Sequence, residues 1–572
     1  MASSAEHILQ VLEEAGVEYV FGIPGGGTSQ IFALMHGRED RIRPILVRHE
    51  QAAGIMADAY ARATGKPAAI MGQGLFMGSN ASFGIMEAML SSSPMLVVTD
   101  TSDGGAGQHP ANQSGAGEYG SVDLPAIFRA MTKYTTLAAS PKEAVIGTQL
   151  ALKHATSGRP GPAAVVMRSA AAGGDVDVES PPFLHHTSGY LNTAKPQSAP
   201  EDIARAVDIL EASQRPVIVA GNGVHVSRSH ELLRELAEAL GAPVATSYKG
   251  KSAIAESHPL SVGMAGVYGQ AAANAVIGDA DTVLVVGAKL SPQDTVRERP
   301  SVFDPRRQRI IQIDIDENNA GWTFPVELGL VGDASKVLGQ LLEETRARGS
   351  TATPEREAWT ASLAARRSNL GYYDEPAMHV DSSPVTPQRL VTLLRETMPA
   401  DTVYALDAGN NRTWMAHYFK AVEPHTFFCP GGTAGMGWGL PAAVALKLAY
   451  GDRPVVCVTG DGGYMMTVNA LSTAMQYGLA MICVVFNDGA LGMVNQHQPE
   501  GRKIASEFVE TDNAAVARGF GCFGVQVRDS RELPGALREA MASGLPSVID
   551  VVIDRGPSPD DFRADVRRGT ET

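Results

Sequence analysis

Residues 455–493 read VVCVTGDGGYMMTVNALSTAMQYGLAMICVVFNDGALGM. Two Val-rich runs each end on an acid: Asp461, followed by Gly462-Gly463, and Asp488, followed by Gly-Ala-Leu-Gly. Short β-branched runs separated by a helical pattern read as a β-α-β unit with parallel strands. In such sheets ligands bind beyond the carboxyl ends of the strands, so the order predicts Asp461 and Asp488 side by side at one sheet edge. Two hard oxygen donors, with glycines that let backbone approach closely, suit Mg²⁺ sharing its remaining positions with a diphosphate. Either tripeptide alone is ordinary turn chemistry; placement on consecutive strands is what points to a metal.

Outward from this unit, apolar runs alternate with helical patterns in three blocks, which predicts an α/β chain of three doubly wound parallel-sheet domains at 1–175, 195–345 and 380–556. EYVFGIPGG, RPILVRHE, PAAIMGQG, PMLVVTD and AAVVM read as strands of the first block. RPVIVAGNGV, APVATS, DTVLVVGAK and RIIQIDID belong to the second, and TVYALDAGNN, RPVVCVTGDG, LAMICVVFND and PSVIDVVI to the third. A Pro/Ser/His-rich stretch after the first block reads as a linker, and the polar RARGSTATPEREAW closes the second.

A chain of 572 residues exceeds a single core, and a net charge of −15 argues against nucleic acid or an anionic membrane as partner. The start, MASSAEHILQVLEEAG, reads as a capped amphipathic helix, neither signal peptide nor membrane anchor. Four cysteines without metal-ligand spacing read as buried thiols of a reducing, cytoplasmic compartment.

Gly460-Asp461-Gly462 followed by Asn487-Asp488 resembles the motif of the thiamine-diphosphate-dependent enzyme superfamily, with Asp488 where relatives usually carry Asn. EYVFGIPGGGTSQIF, RHEQAAGIMADAYARATGKP and CPGGTAGMGWGLPAAVALKLA are similar to segments of acetolactate (acetohydroxyacid) synthase large subunits and pyruvate oxidase-type enzymes, and the resemblance covers almost the whole chain. It implies pyrimidine-binding, central and diphosphate-binding domains, with thiamine diphosphate and Mg²⁺ as cofactors. The metal ligands would be Asp461, Asp488 and the carbonyl of Ala490. Gly460, Gly462 and Gly463 would form the turn at the diphosphate, with Leu491, Gly492 and Met493 against it. Glu50 would share a proton with the aminopyrimidine, whose nitrogen then removes the thiazolium proton. Met436, beside Gly435, would wedge the cofactor into its bent shape. Asn410 and Asn411 stand where relatives carry Gln and His that touch the diphosphate. Gly26, with Gly27 and Thr28, would leave room beside the thiazolium.

The chain departs from the family in several places. Gly72-Gln73-Gly74 replaces a Gly-Pro-Gly, and Asn80 falls into register only across three extra residues. Gly120 stands in place of the usual active-site Gln, so Gln73, His109 and Gln113 are candidate polar groups facing the reacting carbon. His497 stands where synthases of branched-chain precursors carry Trp. In the central block GAKLSPQDT lacks an Arg common in flavin binders, and Ala265 replaces a His; FAD and a purely structural spacer both remain open.

The resemblance implies an acetolactate synthase-like carboligase acting on a 2-oxo acid, a transferase or lyase, assembled as a homodimer at minimum and as a homotetramer in many relatives. The alternatives are a thiamine-diphosphate-dependent hydrolase that cleaves a 1,2-diketone, and a non-catalytic cofactor-binding homologue.

Overall fold

The computed structural model describes residues 2–103, 112–117, 120–349 and 353–565. Its strands form three sheets of six, every pair parallel. The first contains β1 (Tyr19–Ile23), β2 (Arg43–Leu46), β3 (Ala68–Gly72), β4 (Met95–Asp100), β5 (Tyr134–Ala138) and β6 (Pro162–Met167). The second contains β7 (Pro216–Ala220), β8 (Val244–Thr246), β9 (Ser261–Met264), β10 (Thr282–Val286), β11 (Arg309–Asp314) and β12 (Leu328–Val331). The third contains β13 (Val403–Leu406), β14 (Phe427–Phe428), β15 (Val455–Gly460), β16 (Ile482–Asn487), β17 (Phe523–Val527) and β18 (Ser547–Val552).

The first sheet runs β2-β1-β3-β4-β6-β5 and the third β14-β13-β15-β16-β18-β17, the same order in two units. The central sheet runs β12-β11-β10-β7-β8-β9, the doubly wound dinucleotide-fold order, with its switch point between β7 and β10.

Five strands lie outside the apolar runs picked from the sequence: β5, β9, β12, β14 and β17, all at sheet edges. An edge strand is covered less fully, so its sequence need not be a continuous apolar run. YTTLA of β5 and FGVQV of β17 are mostly half-buried, and β14 is only two residues long.

Two other expectations change. PEREAW is the start of a helix, Pro354–Asn369, whose Trp359 indole donates to the Pro216 carbonyl at 3.1 Å and lies in the central core. The segment after β15 breaks into two short helices, Asp461–Thr467 and Ala470–Gln476. The stretch read as a linker is pinned to the first domain, where Asp175 bridges Ser3 and the Thr187 amide donates to Glu14 at 2.7 Å. The amino-terminal helix, Ser4–Glu14, carries its expected cap, a Ser3/Glu6 capping box. All four cysteines are buried free thiols.

Helix α1 (Glu50–Thr64), ended by Gly65 at φ +74°, presents small residues to helix α2 (Gly439–Tyr450), so the first and third domains share one continuous core. Burial of this many Ala positions permits close helix approach. The Glu87 carboxylate accepts from the amides of Gly431, Gly432 and Thr433 at 3.1, 3.0 and 2.7 Å, and Arg62 donates to the Cys429 carbonyl at 3.0 Å. The central domain joins the third through Glu256, which accepts from the Ala421 amide at 2.6 Å and is held within its own domain by a fully buried ion pair to Lys251 at 2.7 Å.

All three domains meet at a cluster of imidazoles. His225, His230 and His425 lie together with tilted rings, their centroids 5.1 to 5.4 Å apart. His225 Nδ1 and His230 Nε2 share a hydrogen bond of 2.9 Å. Arg228 donates to His425 Nδ1 at 2.8 Å and to the Arg62 and Ala63 carbonyls at the end of α1. Burial, then the neighbouring imidazoles and Arg228, holds His225 and His425 well below the ordinary histidine value, and burial brings His230 down to about 4.

Candidate active site

The carboxyl ends of four adjacent strands in the first sheet carry Glu50 (after β2), Gly26 (after β1), Gln73 (after β3) and Asp100 (the end of β4). Glu50 is the first residue of α1, and Asn80 Nδ2 donates to its Oε2 at 2.9 Å. The extra residues before Asn80 fold into a short helix, Gly74–Ser79, and Asn80 at its end is thereby brought onto Glu50.

Gly26 has φ +54°, and a Cβ there would stand 2.4 Å from Asp100 Oδ2. Asp100 fills the space behind the glycine loop, accepting from the Gly27 amide at 2.7 Å and the Gly74 amide at 3.3 Å. Burial raises its carboxyl above the ordinary value against the pull of these amides. Gln73 donates to Gln113 Oε1 at 2.6 Å and to Ser102 Oγ at 3.2 Å. His109 lies outside the described residues. Gly120 adopts φ +81° with open space around its Cα.

In the third sheet Gly460 of β15 pairs with Phe486 of β16, so the residues that follow these strands emerge as neighbours. Asp461 opens the helix Asp461–Thr467 and is 7% exposed. Burial, and next the charge of Asp488, push its carboxyl up to about 7, while the Gly462, Gly489 and Ala490 amides pull the other way. Burial raises Asp488 to about 6, opposed by Arg555. Two carboxylates so placed hold each other's charge unfavourably until a cation stands between them.

The turn beyond Asp488 is tightly built. Gly489 takes φ +61°, and a Cβ on Gly492 would fall 2.3 Å from Asp488 Oδ2. A short antiparallel bridge ties it to residues 506–508 through Leu491 N to Ser506 O and Phe508 N to Gly489 O, both 2.8 Å; neither bond uses the Ala490 carbonyl. Over Gly462 lie Met436 Cε and Leu491 Cδ2, each 3.1 Å from where its Cβ would stand, and Gly435 packs on the Phe83 ring.

The two asparagines part company. Asn410 donates to Gln496 Oε1 at 2.9 Å and lies close to Gly492. Asn411 is buried, and its amide donates to the Asp407 and Val458 carbonyls at 2.9 and 3.1 Å, tying β13 to β15. His497 is exposed and hydrogen-bonds the Met493 carbonyl. Asp407, which sequence reading passed over, is fully buried and pushed up to about 6 by burial. It accepts from the Ala408, Gly437 and Trp438 amides and from Thr459 Oγ1, and so supports the Met436 turn from below. Its only signal was an acid at the end of a strand, as for Asp461.

Among the described residues no three His, Cys, Asp or Glu side chains converge as a metal cage. Asp461 and Asp488 are a pair of hard oxygen donors, a composition compatible with a divalent cation such as Mg²⁺.

A cavity of about 620 Å³ opens at the switch point of the central sheet, reaching Gly223, Lys289 and Asp314 on one side and Arg159, Gly432 and Met493 on the other. Gly221 and Gly223 let two turns cross there: a Cβ on Gly221 would meet the Gly287 carbonyl oxygen at 2.4 Å. No helix among the described residues is long and apolar enough to cross a membrane.

Sequence comparison agrees with this architecture domain by domain. The N-terminal TPP binding domain of thiamine pyrophosphate enzymes matches residues 3–116, the central domain 203–341 and the C-terminal TPP binding domain 407–551. The chain belongs to the thiamine pyrophosphate enzyme family. Within it, the chain is 33% identical to a probable acetolactate synthase large subunit of Methanocaldococcus jannaschii, covering 96% of this chain and 92% of that one. It is 32% identical to the acetolactate synthase large subunit of Parasynechococcus marenigrum (97% and 88% covered) and 31% identical to the acetolactate synthase isozyme 3 large subunit of Escherichia coli (95% and 92%).

Proposed function

We propose that the protein is a thiamine-diphosphate- and Mg²⁺-dependent carboligase of the acetolactate synthase kind, acting on a 2-oxo acid. The observation that carries this is the pair of carboxylates, buried Asp461 and half-buried Asp488, at the ends of neighbouring strands, in a chain similar over almost its full length to acetolactate synthase large subunits.

Asp461, Asp488 and the Ala490 carbonyl would hold the ion, and Asn410, Gly492 and the amides of the 489–492 turn would receive the diphosphate. Met436 and Leu491 would bear on the middle of the cofactor. Glu50, oriented by Asn80, would hold a proton at the far ring. When bound, thiamine diphosphate supplies the nucleophilic carbon at which the 2-oxo acid loses CO₂ and from which the acyl unit passes to an acceptor carbonyl. The chain's own part is to place that carbon, manage the proton and exclude water.

Assembly fits this reading. Met465, Met466, Val494 and Phe508 near the acidic pair are exposed, as is Met86 on the Glu50 side, an apolar rim suited to a second copy. A homodimer would let Glu50 of one protomer face the acidic pair of another, and a tetramer would extend it. The cavity at the central switch point is of dinucleotide size and is proposed to take FAD; a yellow purified protein, with flavin released on denaturation, tests it.

The deciding assay supplies labelled pyruvate with thiamine diphosphate and Mg²⁺. Labelled CO₂ together with acetolactate or acetoin is the expected result. Cleavage of a 1,2-diketone without CO₂ release would replace the carboligase with a hydrolase.

A further inference from the structure

Between the glycine loop after β1 and the end of β4 runs a chain of polar groups that neither proton transfer nor metal binding requires. Asp100 is 1% exposed, and among the described residues the groups that act on its carboxyl are amides and a hydroxyl, with no cation. It accepts from Gly27 and Gly74, and Ser102 Oγ lies 3.4 Å from its Oδ1. Ser102 in turn accepts from Gln73, and Gln73 from the same amide nitrogen reaches Gln113. A buried carboxylate without a cation is expensive, and an apolar residue would fill the same space behind Gly26 without that cost. Its effect is to fix the backbone on both sides of Gln73 and the hydroxyl on which the Gln73 amide rests.

Gln73 is only half-buried, and it packs along Gly25, whose missing side chain leaves the Gln73 carbonyl oxygen uncovered on that side: a Cβ there would stand 3.2 Å from Gln73 Cβ and 3.6 Å from Oε1. Glu50, Gly26 and Gln73 follow adjacent strands, so this amide shares the sheet edge with the Glu50 carboxylate.

We infer that Gln73, positioned by Asp100 through Ser102, is a specificity-determining residue that selects a substrate carrying a hydroxyl beyond the reacting carbonyl, in preference to the bare methyl of pyruvate. This rests on the reading of the chain as a 2-oxo-acid carboligase. Both amide hydrogens of Gln73 are taken up by Gln113 and Ser102, which leaves Oε1 as the group for a substrate; an alkyl group gives that acceptor nothing and a hydroxyl donates to it, and discrimination follows from that difference.

The test compares kcat/KM for 3-hydroxypyruvate and pyruvate, by CO₂ release, in the full-length protein with thiamine diphosphate and Mg²⁺. The parent favours hydroxypyruvate by about tenfold or more, and Gln73→Met lowers that ratio by a similar factor. Asp100→Asn and Ser102→Ala lower the ratio in the same direction, whereas a purely structural role would depress both substrates together and leave the ratio standing. A parent that prefers pyruvate, or a ratio unmoved in Gln73→Met, overturns the inference while leaving the carboligase in place. CO₂ from neither acid defeats the carboligase reading itself, and this inference with it.

Discussion

The imidazole cluster where the three domains meet should make their junction acid-labile, and the size of the effect follows from one residue. His230 sits at about 4 in the folded chain against an ordinary 6.5, because burial disfavours its charged form. An unfolded or locally opened chain takes up a proton near pH 6.5, while the closed cluster does not until near 4. Stability from this group is therefore fully present above about pH 6.5, declines through the window below it, and levels off below about pH 4. At pH 5 the difference amounts to about 2 kcal/mol, or about 30-fold in the opening equilibrium, from His230 alone. His225 and His425, lowered in the same direction, add to it. Among the described residues the charged groups acting on the cluster are cations, Arg228 and Arg62; the Tyr450 hydroxyl and the Lys251 carbonyl, the latter 3.1 Å from His225 Nε2, are neutral. Hydrogen exchange of peptides covering 222–231 and 421–428, corrected for intrinsic rates, should lose at least 30-fold protection between pH 7.5 and pH 5, and His230→Gln should remove about that much of the slope. Protection that stays flat with pH, or a slope identical in the variant, would refute the reasoning.

Asp461→Ala should weaken Mg²⁺-dependent thiamine diphosphate binding by more than about 100-fold in calorimetry, whereas Asp488→Asn, which keeps one hard oxygen and removes a half-buried charge, should stay within about tenfold. Equal losses in both variants would contradict the assigned ligand set. Glu50→Gln should retain the cofactor and lose turnover by about 100-fold or more, read by binding and CO₂ release in parallel. Lys251→Met leaves Glu256 buried without its cation and should destabilise the chain by about 3–5 kcal/mol, seen as a lowered Tm. An unchanged Tm would mean that the pair contributes nothing to the domain contact.

Fully buried strands were legible because their sequences are unbroken apolar runs; VVCVTG and ICVVFN need no partner to be recognised. Five edge strands were not: half-burial leaves β5, β12 and β17 with polar or exposed positions, and β9 and β14, though buried, are only four and two residues long. The same contrast holds in the site. Asp461 and Asp488 announce themselves by following such runs, and the neighbouring registers then place them together. The Asn80 to Glu50 bond depended on an insertion folding into a helix, which spacing alone did not dictate. Asp100 and Asp407 escaped notice because their partners are backbone amides, and backbone amides carry no mark in a sequence.

The Glu87 clasp on residues 431–433 bears on any effort to recombine this protein with its relatives. Three successive parallel-sheet domains invite cutting at their boundaries, but an acid from the first completes a loop of the last. A graft that replaces the carboxyl-terminal third would inherit a carboxylate shaped for another loop, directly upstream of Met436. Productive crossovers should therefore carry 82–91 and 429–438 from the same parent, with the join made elsewhere.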